Sequence, residues 1–265
     1  MKKFWVFLFV LLNMAFGKIL LDINVGGGVR NINQKVDLYY LKSSSIGSTK
    51  VEPMNIKFDG EFAPFFHGKL GIPLVPTLEF KYLEYTLHAS LSGKLNFHFG
   101  NIEVNDVESN VTLEQDTKEL DLDIYYSIPL LGFLKLGVGT NILYAKLNAS
   151  ASFSHEKPQF DTFDLILPIF YVFSALNYEK DKFVFDIKFR YFPKVSVEGY
   201  NIEYLSISPQ IGYKIFSLPT LDLVTYANYA YSRLKIEKEP DSDGEFYFDR
   251  KNNNFEIGGY LNFGF

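Results

Sequence analysis

The chain of 265 residues carries 26 Lys and Arg against 31 Asp and Glu, no cysteine, 4 histidines, and 47% apolar and 17% aromatic residues. That apolar content excludes a disordered chain, and the missing cysteines exclude disulfide scaffolds, thiol catalysis and cysteine-ligated zinc. A mean hydropathy of zero excludes a bundle of membrane-spanning helices, each of which needs roughly 20 mostly apolar residues, and an acidic balance without a basic cluster excludes nucleic acid as a partner.

At the N-terminus Lys2 and Lys3 precede an apolar run from Phe4 to Phe16 broken only by Asn13, and Ala15 and Gly17 supply a small-residue exit. This pattern predicts a signal peptide over residues 1–17, too short to span a bilayer, followed by a single barrel domain over 18–265.

From there a period of two governs the chain. Ile19, Leu21, Ile23, Val25 and Val29 alternate with Asp22, Asn24, Gly26, Gly28 and Arg30, and Ile56, Phe58, Phe62, Phe66 and Leu70 alternate with Lys57, Asp59, Glu61, His67 and Lys69. Between Leu83 and Phe99 every odd position is apolar or Gly and every even position is polar, a face that no helix could keep. The pattern recurs at Leu120–Tyr126, Leu134–Val138, Phe183–Tyr191, Ile207–Ile215 and Phe255–Phe265. Short slips of phase near Tyr82 and Tyr144 read as bulges. Residues 162–178 are apolar on both faces around Pro168, and 220–237 settle on no single phase.

Ten strands are predicted, at 18–30, 56–72, 77–100, 106–128, 133–154, 162–178, 182–194, 201–216, 220–238 and 246–265. Tight connections such as Glu179-Lys180-Asp181 and Ser217-Leu218-Pro219 alternate with longer polar ones, so one rim has short turns and the other has loops. The predicted fold is all-β: a transmembrane antiparallel β-barrel of the bacterial outer membrane, with short periplasmic turns and longer extracellular loops. A soluble sandwich also alternates. The barrel is favoured by strands longer than a soluble sheet needs, by glycines such as Gly26, Gly28, Gly137 and Gly139 on the polar face where a crowded lumen would want them, and by a terminal Phe265.

The last strand carries Glu256, Gly258, Leu261, Phe263 and Phe265 in a spacing that resembles the assembly signal of outer-membrane barrels. That likeness implies a transient partner in the barrel-assembly machinery, with outer-membrane lipid and lipopolysaccharide as the surroundings. More of the chain resembles a family of small, uncharacterised outer-membrane barrels with a Gly-Gly element in the first strand. The matching segments are Asn24 to Val29, Gly71 to Phe80, Tyr125 to Pro129 leading into Leu134 to Gly139, Ile211 to Tyr213, and Phe255 to the terminal Phe265. Where that family has an aromatic after the glycines and an Asn after the second Pro, this chain has Arg30 and Thr77. The resemblance implies a fold and a location but no activity.

With apolar faces assigned to lipid and polar faces to the lumen, parity points His67, Glu84, His88 and His98 inward, with Lys57, Asp59, Glu61 and Lys94 beside them. A hydrolase would use His88 as base, Glu84 as its orienter and Ser90 as nucleophile, but residues two apart on a strand stand ~7 Å apart, too far for a Ser-His hydrogen bond. Mutual satisfaction of these groups inside a narrow barrel is the favoured reading, with no cofactor or metal expected, and Asp241, Asp243, Asp161 and Asp164 read as solvated loop positions rather than a calcium site. The predicted role is a structural or surface-interaction barrel with at most a narrow conduit for small solutes or ions. The alternatives are a membrane-embedded hydrolase and a carrier of an apolar ligand, the latter suggested by the two-faced segment Leu165 to Phe173.

Overall fold

The computed structural model describes residues 21–41, 53–72, 75–128, 131–153, 157–197, 199–241 and 244–264. The predicted signal peptide and Phe265 lie outside them. Twelve strands form one sheet: β1 (Asp22–Ile32), β2 (Gln34–Leu41), β3 (Met54–Lys57), β4 (Glu61–Gly71), β5 (Thr77–Gly100), β6 (Ile102–Ile128), β7 (Leu131–Phe153), β8 (Gln159–Lys180), β9 (Phe183–Val197), β10 (Tyr200–Leu218), β11 (Leu221–Asp241) and β12 (Gly244–Gly264).

The sheet closes on itself. β12 pairs back onto β1, antiparallel, from Asp22↔Gly264 to Asn31↔Phe255. β2 prolongs β1 past Asn33 along the same neighbour, from Gln34↔Asn252 to Leu41↔Glu245. β3 likewise precedes β4 and pairs with β2. The ring therefore has ten long strands, the first two each broken once, at Asn33 and at residues 58–60. Across the second break, Phe58 N–H donates to the Gln34 carbonyl and Asp59 N–H to the His88 carbonyl. The predicted strand count stands, whereas part of the predicted 31–55 loop is strand. On the rim of the long strands, turns at Gly100 and Gly199, both with positive φ, are tight. Much of the extra length there is strand rather than loop.

β5 to β8 run 24, 27, 23 and 22 residues, against the ~9–11 that cross a membrane. Near the turn-bearing rim their outward side chains are apolar and exposed, as at Leu78, Tyr82, Ile124, Val138 and Phe170. Farther along, the face that is apolar changes. On β5 the outward row passes from Tyr82 to Glu84 and His88, while the inward row passes from Glu79 and Lys81 to buried Leu83, Leu87 and Ala89. The other long strands change at comparable points: Leu120 to Lys118 on β6, Tyr144 to Lys146 on β7, Ile166 to Asp164 on β8 and Tyr231 to Arg233 on β11. Pairing runs without a slip through Tyr82 and Tyr144. The bulges predicted there are absent, and what changes is the medium, from lipid to water. The slip on β5 comes between Leu95 and Asn96.

This boundary also explains residues 162–178, which are apolar on both faces because Ile166, Phe170 and Val172 face out while Ile169, Tyr171 and Phe173 are buried inside. The barrel thus has two storeys: a lipid-girdled ring with a polar interior, and beyond it a solvent-facing extension filled by an apolar core. That core joins opposite walls, with Phe163 of β8 stacked 4.8 Å from Phe246 of β12 and 5.1 Å from Tyr40 of β2.

Candidate functional site

The interior of the lipid-level ring gathers most of the buried ionised side chains among the described residues. The strands deliver them by parity, on one face of each strand: Glu79 and Lys81 from β5, Glu119, Asp121 and Asp123 from β6, Lys188 and Arg190 from β9, and Arg250 and Glu256 from β12. Many of the ion pairs join strands that are not neighbours and so cross the lumen.

Glu256 is the hub, with a side chain 1% exposed. One carboxylate oxygen accepts from Arg30 at 2.5 Å, and the other from Lys81 at 2.5 Å and Asn228 Nδ2 at 2.9 Å. Above it, Glu119 accepts from Arg250 at 2.7 Å and the Tyr85 hydroxyl at 3.0 Å. Arg190 reaches from β9 to Asp121 at 3.3 Å and Asp123 at 2.6 Å, and Asp123 also accepts from the Tyr171 hydroxyl at 2.9 Å. Toward the turn-bearing rim, Glu79 pairs with Lys188, Asp22 with Lys69, and Asp186 with Lys135 at 3.6 Å.

These pairs leave a cavity of about 150 Å³. Small residues make the room for the large ones: a Cβ on Gly139 would stand 2.4 Å from the Tyr171 ring, and one on Gly26 would stand 2.3 Å from the Gly259 carbonyl oxygen. The sequence expectation of glycine on a crowded lumenal face is met at these positions.

A floor of neutral polar groups, Gln34 to Gln115 at 2.7 Å and Gln115 to Thr117 at 2.8 Å, separates the ion pairs from the apolar core. Beyond it Leu87, Val36, Leu38, Phe97, Phe99 and Phe248 are at most 1% exposed. The lumen therefore ends in a hydrophobic plug toward the long-strand rim.

Of the four predicted lumenal residues, one is placed as expected. His67 faces the lumen, its ring edge-on to Tyr226 and Tyr260 at 5.9 Å each. Glu84 and His88 face outward, past the point where β5 leaves the lipid belt, with side chains 54% and 60% exposed. Glu84 pairs with Lys118 at 3.0 Å, and the carboxylate nearest His88 is Glu114 at 3.7 Å. The Ser90–His88–Glu84 arrangement is thus not assembled. His98 is buried beside the Phe97–Phe99 stack at the tip of β5, far from the ion pairs. Lys57 and Asp59 are exposed, because Ile56 and Phe58 take the inward positions.

All of these reversals share one cause: polar residues mark the inside of the ring only where the outside is lipid. The lumenal ion pairs went unsingled because their sequence signal is modest. It consists of charged residues two apart, such as Asp121 and Asp123 or Lys188 and Arg190, inside runs that are otherwise apolar and close to a tight turn.

In the predicted assembly signal, Glu256 and Gly258 face the lumen, where Gly258 leaves room for the Tyr226 ring. Leu261 and Phe263 lie on the outward parity.

A closed antiparallel ring, an outer belt of exposed Val, Ile, Leu, Phe and Tyr, and a polar interior define a transmembrane β-barrel of the outer-membrane class. A solved structure shares this fold. The outer membrane protease OmpT from Escherichia coli matches with a TM-score of 0.53 and 12% identity, over 92% of this chain and 97% of that one. The translocator domain of the autotransporter NalP from Neisseria meningitidis has a TM-score of 0.40 at 12% identity, over 92% and 88% of the two chains. OprG from Pseudomonas aeruginosa has 0.38 at 10% identity, over 94% and 99%. No family model matches the chain, and no curated protein matches it.

Proposed function

We propose that this protein is a closed outer-membrane barrel, a scaffold that holds an extracellular sheet wall above the lipid and does not conduct solutes through its lumen. The observation that carries this reading is the stacking of two seals: the Glu256-centred ion pairs across the ring, and above them the apolar plug around Leu87 and Phe248. A solute would have to part buried salt bridges and then enter a packed core, and interiors at native density have no voids wide enough for one. Membership of the family with a Gly-Gly first strand is supported by the close approach of Gly26 to Gly28 against Gly258 and Gly259 across the closing seam. Proteolysis belongs to the E. coli neighbour. Here, among the described residues, the group nearest His88 is the Glu114 carboxylate and not a hydroxyl, and His88 lies on an open wall.

The test is single-channel recording of the refolded protein in a planar bilayer. Electrical silence across a wide voltage range is the expected outcome, and steady unitary conductance steps would overturn the reading.

A further inference from the structure

The barrel wall is not paired along its whole height. β8 and β9 are bonded from Lys180↔Phe183 to Val172↔Tyr191, and beyond that rung no described strand pairs with β8 on this side. β8 nevertheless continues to Gln159, still paired with β7 on its other edge. The cause is legible in β9. Pro193 has no N–H to donate, and it sits where the register with β10 slips between Tyr204↔Phe192 and Ile202↔Val195, a bulge that bends the strand. Lys194, the next residue, is tied to Glu237 of β11 at 3.2 Å, away from β8. Pro168 on β8 removes a second donor from the facing edge.

Two further observations point to what fills the split. It starts below the change from Ile166 to Asp164, so its lower part opens within the lipid belt, between the exposed apolar side chains Phe170 and Tyr191. Behind it the core is covered unevenly: Ile169 and Tyr171 of β8, just past the last rung, are buried like Phe173 below the split, whereas Leu167 and Leu165 farther along β8 and Phe192 of β9 pack on the core yet stay only partly buried. An uncovered apolar interior that opens between apolar lips at lipid level matches hydrocarbon.

We propose that the β8–β9 split is a lateral acyl-chain site, in which a hydrocarbon tail of the surrounding leaflet lies between Phe170 and Pro193 against Leu167 and Phe192. The site does not depend on whether the lumen conducts.

The chain has a single tryptophan, Trp5, so a Trp5→Phe background allows one reporter at a time. Phe192→Trp, Phe173→Trp and Phe170→Trp would each be refolded into phosphatidylcholine vesicles with and without bromine at mid-chain, and quenching by bromine reports contact with the acyl chain. Phe170→Trp faces lipid and sets the upper limit, and Phe173→Trp sets the background for a sealed interior. The expected result is quenching of Phe192→Trp at least about two-fold above Phe173→Trp, as van der Waals contact with a chain requires. Should Phe192→Trp not fold, Leu167→Trp on the opposite lip reports the same contact. Quenching at Phe192 or Leu167 no greater than at Phe173 overturns the proposal, including the case in which a strand from a second molecule occupies the free edge.

Discussion

The two storeys of this barrel solve the same problem with opposite chemistry. In the lipid-level ring the side chains pointing inward are charged and those pointing outward are apolar. In the extension the inward ones are Leu, Val, Ala and Phe and the outward ones are Lys, Glu, Ser and Thr. The backbone does not distinguish them, since the register of β5, β6 and β7 runs unbroken across the boundary between the two. What differs is the solvent outside. Against hydrocarbon, burying an apolar side chain gains little, because lipid tails are as apolar as leucine, and cohesion of the interior falls to hydrogen bonds and ion pairs. Against water, the ordinary hydrophobic core returns.

The sharpest way to break this comparison is to remove the hub of the lower storey. Glu256→Ala leaves Arg30 and Lys81 buried without their shared carboxylate, a loss of about 3–5 kcal/mol by the usual cost of orphaning a buried charge. Urea-dependent folding into lipid vesicles measures it. Glu256→Gln, which keeps an acceptor for the Asn228 amide, is expected to lose less. If Glu256→Ala left the unfolding midpoint unchanged, the ion pairs would be incidental to stability.

The next test sets one chemistry against itself in the two media. Leu87→Ala empties space in the fully buried core of the extension and is expected to cost about 2–5 kcal/mol. Ile211→Ala also removes a large aliphatic side chain, but one that lies 47% exposed on the outer belt, where lipid refills the space and the change should stay within about 0.5 kcal/mol. Equal losses at the two positions would mean that the outer belt is packed against protein rather than lipid.

The same contrast shows what was readable beforehand. The number of long strands and most of their limits followed from alternation, because period-two patterning is a property of the strand and survives any choice of which face is inside; the closed ring needed strand length, the glycines on the polar face and the terminal Phe265 as well. The identity of the inside did not follow. Along Leu83 to Phe99 the apolar residues face a core, not lipid, so His88 and Glu84 lie on the outer wall and not in the lumen. The signal that could have corrected this was strand length: a strand of 24 residues cannot spend them all on a membrane crossing of ~10, so its apolar face must change sides part way along. The apparent phase slips at Tyr82 and Tyr144 were that change. Long-range partners such as Arg190 with Asp121 and Asp123, or Lys81 with Glu256, were out of reach, because they depend on how far the ring turns before two strands face each other.

A smaller effect probes the outer wall of the extension, where Arg233 and Lys251 cover a buried carboxylate. Asp249 of β12 receives a two-pronged contact from Arg233, Nε to Oδ1 at 2.9 Å and Nη2 to Oδ2 at 2.7 Å, with Lys251 3.5 Å away. Burial alone would push this carboxyl up, but Arg233 and Lys251 outweigh it and hold it below the ordinary carboxylate value. A carboxylate whose folded value is depressed stabilises the fold above its unfolded value of about 3.9, and that contribution disappears as the pH falls through the lower, folded value. Hydrogen exchange at the β2–β12 pairs, from Gln34↔Asn252 to Leu41↔Glu245, should therefore keep its full protection above the range in which a free aspartate protonates and lose part of it progressively as the pH falls from that range to the lower, folded value. In Asp249→Asn the protection should be lower at neutral pH and should lack this acid step, whereas the lumenal pairs around Glu256 should exchange as in the unsubstituted protein. An acid step of the same size in Asp249→Asn would place the titrating group elsewhere, with Asp37, which meets Lys251 at 3.2 Å on the neighbouring strand, the next carboxylate to replace.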